Sequence, residues 1–139
     1  MKKKILIVDD EPDLVAYLGA FLEDNGFSVI AAGNGKEGWE RAVAERPDLI
    51  TLDITMPEES GVRLFRNLQQ DPDTAGIPVV IVTGISHDFK RFIDTRKQVH
   101  PPAAYFEKPV DREALLAKIN ELLAVSPQPD AGDRSGGTT

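Results

Sequence analysis

Ile5-Leu6-Ile7-Val8-Asp9-Asp10-Glu11-Pro12 sets four aliphatic side chains in a row and then turns abruptly to acid. A strand with one face in water alternates apolar and polar residues, whereas a strand buried on both faces reads as an unbroken apolar run. The run therefore marks an interior strand of a parallel sheet, with Asp9 and Asp10 standing where it ends. Pro12 suits the first turn of a helix, where an N–H has no intrahelical partner to lose. Leu14, Val15, Leu18, Phe21 and Leu22 then recur at helical spacing up to the stop signal Asn25-Gly26.

The same unit repeats along the chain. Phe27 to Ala32 reads as a second strand, and Asn34 with Glu37 forms a capping pair for a helix that passes through Trp39 and Val43 and stops before Pro47. Leu49-Ile50-Thr51-Leu52 is a third strand and delivers Asp53 at its end. After a loop containing Met56-Pro57, residues 61 to 70 place Val62, Phe65 and Leu68 on one side of a helix. Pro78 to Thr83 is the clearest strand in the chain, and residues 87 to 98 read as a highly charged helix. Ala103 to Phe106 is a fifth strand, and Asp111 caps a last helix carrying Leu115, Leu116, Ile119, Leu122 and Leu123. Five strand–helix alternations predict an α/β fold, a parallel sheet with helices on both faces. The predicted domain covers residues 1–125; the stretch 126–139, rich in Ser, Pro, Gly and Asp, cannot bury a core and is expected to be a disordered polar tail.

Composition narrows the classes of function. The chain has 139 residues, 41% hydrophobic and 28% charged, the ordinary mixture of one soluble domain. There is no cysteine, which removes disulfides and thiolate metal sites. A net charge of −7 with no basic stripe argues against direct nucleic-acid binding. The apolar run after Lys2-Lys3-Lys4 is too short for a signal peptide or a membrane span, so no membrane insertion is expected and a cytoplasmic location is the default.

Open parallel sheets bind ligands beyond the carboxyl ends of their strands. The polar residues at those ends are Asp9 and Asp10, Asp53, Thr83 and, just past the fifth strand, Lys108. Each alone is unremarkable; an acid before a helix is commonly a cap. Together they place three carboxylates, a hydroxyl and an ammonium on one edge. Crowded carboxylates repel one another, and a hard divalent ion such as Mg²⁺ relieves this through carboxylate, water and phosphate oxygens. Lys108 can pair with a phosphoryl oxygen and Thr83 can donate to another, a set suited to phosphoryl transfer. Asp53, alone at a central strand end, is the nucleophile candidate.

Four motifs in order, Ile5 through Pro12, Asp53-Ile54-Thr55-Met56-Pro57 followed by Ser60-Gly61, Val80-Ile81-Val82-Thr83-Gly84, and Tyr105-Phe106-Glu107-Lys108-Pro109, resemble those of response-regulator receivers over residues 3 to about 125. The resemblance implies a single flavodoxin-like (βα)5 domain with strand order 2-1-3-4-5, a topology for which a receiver is a standard example. It implies Asp53 as phosphoacceptor, supplied by a sensor histidine kinase or histidine phosphotransfer domain in a two-component or phosphorelay system, and a downstream protein as target. Mg²⁺ would be held by Asp10, Asp53 and the Thr55 backbone carbonyl, with Asp9 acting mainly through water. Thr83 and Lys108 would grip the phosphoryl group, Tyr105 would follow the switch by changing rotamer, and the Lys108–Pro109 bond would be cis. Such a protein is a signalling phosphoacceptor, not an enzyme acting on others. With no room for an effector module after Ser126, a stand-alone receiver or a receiver cut from a longer protein is expected.

Three other readings compete. A haloacid-dehalogenase-type phosphohydrolase also uses a nucleophilic Asp, a Thr and a Lys, but requires a second acid two residues on, where this chain has Thr55. A flavodoxin-like FMN binder needs a hydroxyl- and glycine-rich loop after the first strand, where this chain has Asp9-Asp10-Glu11-Pro12. A pseudo-receiver would lack part of the acid, Thr and Lys set. The chain departs from the receiver pattern between Thr83 and Lys108, which is longer than usual and ends in His100-Pro101-Pro102-Ala103-Ala104. His87 and His100 have no partner at metal or triad spacing and are read as surface residues, and Trp39 as packing.

Overall fold

In the computed structural model of the chain, residues 2–84 and 102–124 are described. Strands β1 (Lys4–Val8), β2 (Ser28–Ala32), β3 (Leu49–Asp53), β4 (Val79–Thr83) and β5 (Ala104–Glu107) form one sheet in the order β2-β1-β3-β4-β5. Every neighbouring pair is parallel. Helices α1 (Pro12–Asp24), α2 (Gly35–Glu45), α3 (Ser60–Gln70) and α4 (Arg112–Leu123) connect or follow the strands. The charged helix expected over 87 to 98, both histidines and the 126–139 tail lie outside the described residues.

The two-residue period of a strand divides the core. Leu6, Val8, Ile50, Leu52 and Ile81 pack with Leu64, Phe65 and Leu68 of α3 and Ala42 of α2, and Trp39 joins this cluster half-buried. Ile5, Ile7, Leu49 and Val80 face the other way, onto Leu18 and Leu22 of α1 and Leu115 and Ile119 of α4. β1, β3 and β4 are thus covered on both faces, which is why they read as unbroken apolar runs. The expected caps are present: Asn34 Oδ1 accepts from the Glu37 N–H at 2.8 Å, and Asp111 Oδ1 accepts from Glu113 and Ala114 at 3.0 and 3.1 Å.

Several boundaries differ from the sequence reading. β5 lies one residue later than expected, because its ladder to β4 pairs Val80 with Ala104 and Thr83 with Glu107. α2 stops before Pro47 as expected, at Glu45, with its C-cap Arg46 in the left-handed conformation, φ 49°. A short 3-10 turn, Pro57–Glu59, precedes α3 and contains Glu58 at φ 59°. Ala124, past the end of α4, is left-handed as well, φ 54°, and none of these three residues is the Gly or Asn that usually marks such a position.

Candidate functional site

The sheet order makes β1 and β3 neighbours, and their ends bring the acids together. Val8 is level with Leu52, so Asp9 and Asp53 emerge side by side. Asp9 accepts the Glu11 N–H on Oδ1 at 2.9 Å, and its own N–H bonds to the Ala32 carbonyl at 3.0 Å, so the turn after β1 is held on both sides. Asp9 and Asp53 are buried, whereas Asp10 and Glu11 are exposed. One carboxylate oxygen from each of these four residues lies within 4.8 Å of the others.

Asp53 is gripped from two directions. Its Oδ1 accepts from the Thr55 N–H at 2.8 Å and the Thr55 hydroxyl at 2.5 Å. Its Oδ2 faces the Lys108 ammonium at 3.1 Å. Lys108 arrives from the end of β5, where its N–H bonds to the Thr83 carbonyl at 2.9 Å and the bond to Pro109 is cis, as the resemblance implied. From there Nζ reaches Glu11 Oε2 at 2.8 Å and Asp9 Oδ2 at 3.1 Å as well.

The electrostatics follow from this crowding. Burial raises the pKa of Asp9, and the Asp53 charge adds to the rise; the Glu11 N–H and Lys108 oppose it without prevailing. Burial works against the charged form of Lys108, but hydrogen bonds to Glu11, Asp9 and Asp53 outweigh it and push its pKa up. Both pKa values rise, so the charged form of Lys108 is favoured while that of Asp9 is disfavoured: three acceptors overcome the burial of Lys108, whereas burial prevails at Asp9.

Thr83 is buried at the end of β4, one position beyond the residue paired with Asp53. Tyr105 sits half-buried in β5, level with Ile81, against the core cluster that includes α2 and α3. The sheet edge therefore gathers Asp9, Asp10, Asp53, Thr55, Thr83 and Lys108, with Tyr105 two residues before the end of β5. Glu11 joins the cluster without being among the sequence-derived site residues; its signal is that it is a third consecutive acid beside Asp9 and Asp10. Among the described residues the donor set is all oxygen, and four carboxylates beside the Lys108 ammonium leave a surplus of negative charge, which fits a hard divalent cation.

A family model described as the response regulator receiver domain matches residues 5–120, and the chain belongs to that family. Its members are signalling phosphoacceptors of two-component systems that are phosphorylated on an aspartate, bind Mg²⁺ in an acidic pocket and interact with histidine kinases or phosphotransfer proteins. The chain is 40% identical over 121 residues to Protein PilH of Pseudomonas aeruginosa PAO1, covering 87% of this chain and 98% of that one. It is 31% identical over 138 residues to Protein Rrf1 of Nitratidesulfovibrio vulgaris, covering 98% and 95%. Among solved structures, a CheY-like response regulator receiver domain protein from Methanospirillum hungatei JF-1 matches with a TM-score of 0.78 at 30% identity, covering 89% and 95%. Among the described residues no helix is long and apolar enough to cross a membrane.

Proposed function

We propose that this receiver accepts a phosphoryl group on Asp53 from a phosphohistidine of a sensor kinase or phosphotransfer domain, and so switches a protein-interaction surface in the cytoplasm. The observation that carries the assignment is the two-sided hold on one buried carboxylate: Thr55 fixes Oδ1 while Lys108 neutralises Oδ2. A carboxylate so held keeps its orientation and needs no rearrangement to react. In the step, an Asp53 oxygen bonds to phosphorus, the P–N bond breaks, and its electron pair leaves with the imidazole, which takes up a proton. Lys108 lies where charge on the phosphoryl oxygens develops. Asp10, Asp53 and the Thr55 carbonyl would hold Mg²⁺, with Asp9 beside them; the ion would supply charge neutralisation at the phosphoryl oxygens. Thr83 and Tyr105 are assigned to the switch, the hydroxyl moving toward the phosphoryl group and the ring following it.

Acetyl phosphate with Mg²⁺ should add one phosphoryl group by intact mass, and Asp53→Asn should abolish it. Full labelling of that variant would remove the assignment. Sustained turnover of phosphate esters, in place of one stoichiometric labelling, would point to a phosphohydrolase.

A further inference from the structure

We propose that Glu11 is a positioning residue that latches Lys108 in the resting protein and restrains phosphorylation; the inference rests on Asp53 being the acceptor. An ammonium has three N–H donors. Here Nζ faces three acids, Glu11 Oε2 at 2.8 Å and Asp9 Oδ2 and Asp53 Oδ2 each at 3.1 Å. With one donor directed at each, none is left for a phosphoryl oxygen. One of the three partners must let go before Lys108 can grip an incoming group.

The three partners differ in their freedom to leave. Asp53 carries the phosphoryl group and stays. Asp9 is buried, and its other oxygen is tied to the Glu11 N–H. Glu11 has a side chain 59% exposed and can swing into water. It occupies the N-cap position of α1, yet makes no side-chain cap hydrogen bond there. Instead it reaches a residue 97 positions away in sequence. A carboxylate at a helix N-terminus is already favourably placed, so losing the Lys108 contact costs it little. The phosphoryl group would therefore displace Glu11, exchanging one anionic partner of Lys108 for another.

Two variants separate the latch from other roles. Glu11→Ala removes the carboxylate without removing a cap bond. Glu11→Asp keeps the charge but is one methylene too short to hold Nζ. An exposed ion pair of this kind restrains by a modest amount, so both variants should label Asp53 with acetyl phosphate about two to five times faster than wild type at saturating Mg²⁺. The Mg²⁺ affinity, read from the Thr55 amide shift during titration, should change little. Rates equal to wild type would overturn the latch. Slower labelling with weakened Mg²⁺ binding would overturn it too, making Glu11 a metal-side residue. A fast Ala variant beside an Asp variant as slow as wild type would replace the latch with simple repulsion at the mouth. Absence of labelling in wild type would remove the acceptor reading itself, and the latch with it.

Discussion

Asp9 is a carboxylate whose charge is disfavoured where it stands. Burial is the main cause, and its ion pair with Lys108 does not cancel it. Because its folded pKa is raised, the native state binds more protons than the unfolded chain between the unfolded pKa and the folded one. Stability therefore falls as pH rises through that window, and above it the cost is constant. Asp9→Asn keeps an oxygen for the Glu11 N–H and removes the charge, so in metal-free buffer at pH 7 it should raise the melting midpoint by a few degrees. The advantage should shrink as pH falls toward the ordinary Asp range, where wild-type Asp9 protonates too. An unstable variant, or a gain independent of pH, would contradict this account. Thr55 leads to a second expectation. Hydrolysis of an acyl phosphate needs water in line with phosphorus, and the Thr55 hydroxyl is already committed to Asp53 Oδ1. The resemblance to receivers implies that the position two past Thr83, here Ile85, borders that approach; it lies outside the described residues, and as an apolar branched side chain it offers a water no hydrogen bond. Phospho-Asp53 should thus decay more slowly in wild type than in a Thr55→Asn, Ile85→Glu double variant. Equal or faster decay of wild type, followed by intact mass over time, would end the shielding argument.

At the scale of elements, the site depends on how tightly α3 abuts the end of β3. A Cβ added at Gly61 would stand 2.4 Å from the Asp53 carbonyl oxygen and 2.7 Å from Ile54 Cα, both backbone atoms that cannot swing aside. Gly61→Ala should therefore destabilise by about 1–3 kcal/mol and shift the Thr55 amide resonance as the end of β3 moves. Gly76→Ala, where nothing lies within 4 Å, is the control and should be neutral or slightly stabilising. A Gly61 variant matching that control would show that α3 does not fix the acceptor's position. Gly61 was legible only as part of a motif, whereas the strands were legible from their chemistry. Ile5 to Val8 and Leu49 to Leu52 announce themselves because both faces are buried, and their polar ends name most of the site. β5 was placed one residue early because both Ala103 and Ala104 suit a strand, and only the ladder to β4 decides between them. Arg46, Glu58 and Ala124 take left-handed backbone without the Gly or Asn that would mark it in the sequence. Glu11 is legible as a third consecutive acid, but its contact with Lys108 is not, because topology brings together two residues 97 positions apart.

For the whole molecule, the distribution of charge matters more than its total. The chain carries a net charge of −7, and among the described residues four carboxylates converge on one sheet edge around the Lys108 ammonium. General screening by salt weakens repulsion between separated surface charges, but groups this close and partly buried are screened much less. A divalent cation held by Asp10 and Asp53 would act differently, because it would bind the folded arrangement and have no comparable site in the unfolded chain. Mass action then adds RT ln(1 + [L]/Kd) to stability, about 2.7 kcal/mol at a hundredfold excess over Kd. The melting midpoint should accordingly climb with Mg²⁺ concentration and continue to rise by a constant increment per decade once the site is saturated. NaCl at matched ionic strength should give a much smaller rise. Asp10→Asn removes an exposed carboxylate of the group without touching the core, so it should leave the metal-free midpoint close to wild type while flattening the Mg²⁺ response. Differential scanning calorimetry of both proteins across a Mg²⁺ series, with the NaCl series beside it, measures all three curves. If NaCl reproduces the Mg²⁺ curve, the four acids act as a diffuse charged edge and the metal assignment fails; if Asp10→Asn responds like wild type, Asp10 is not among the ligands.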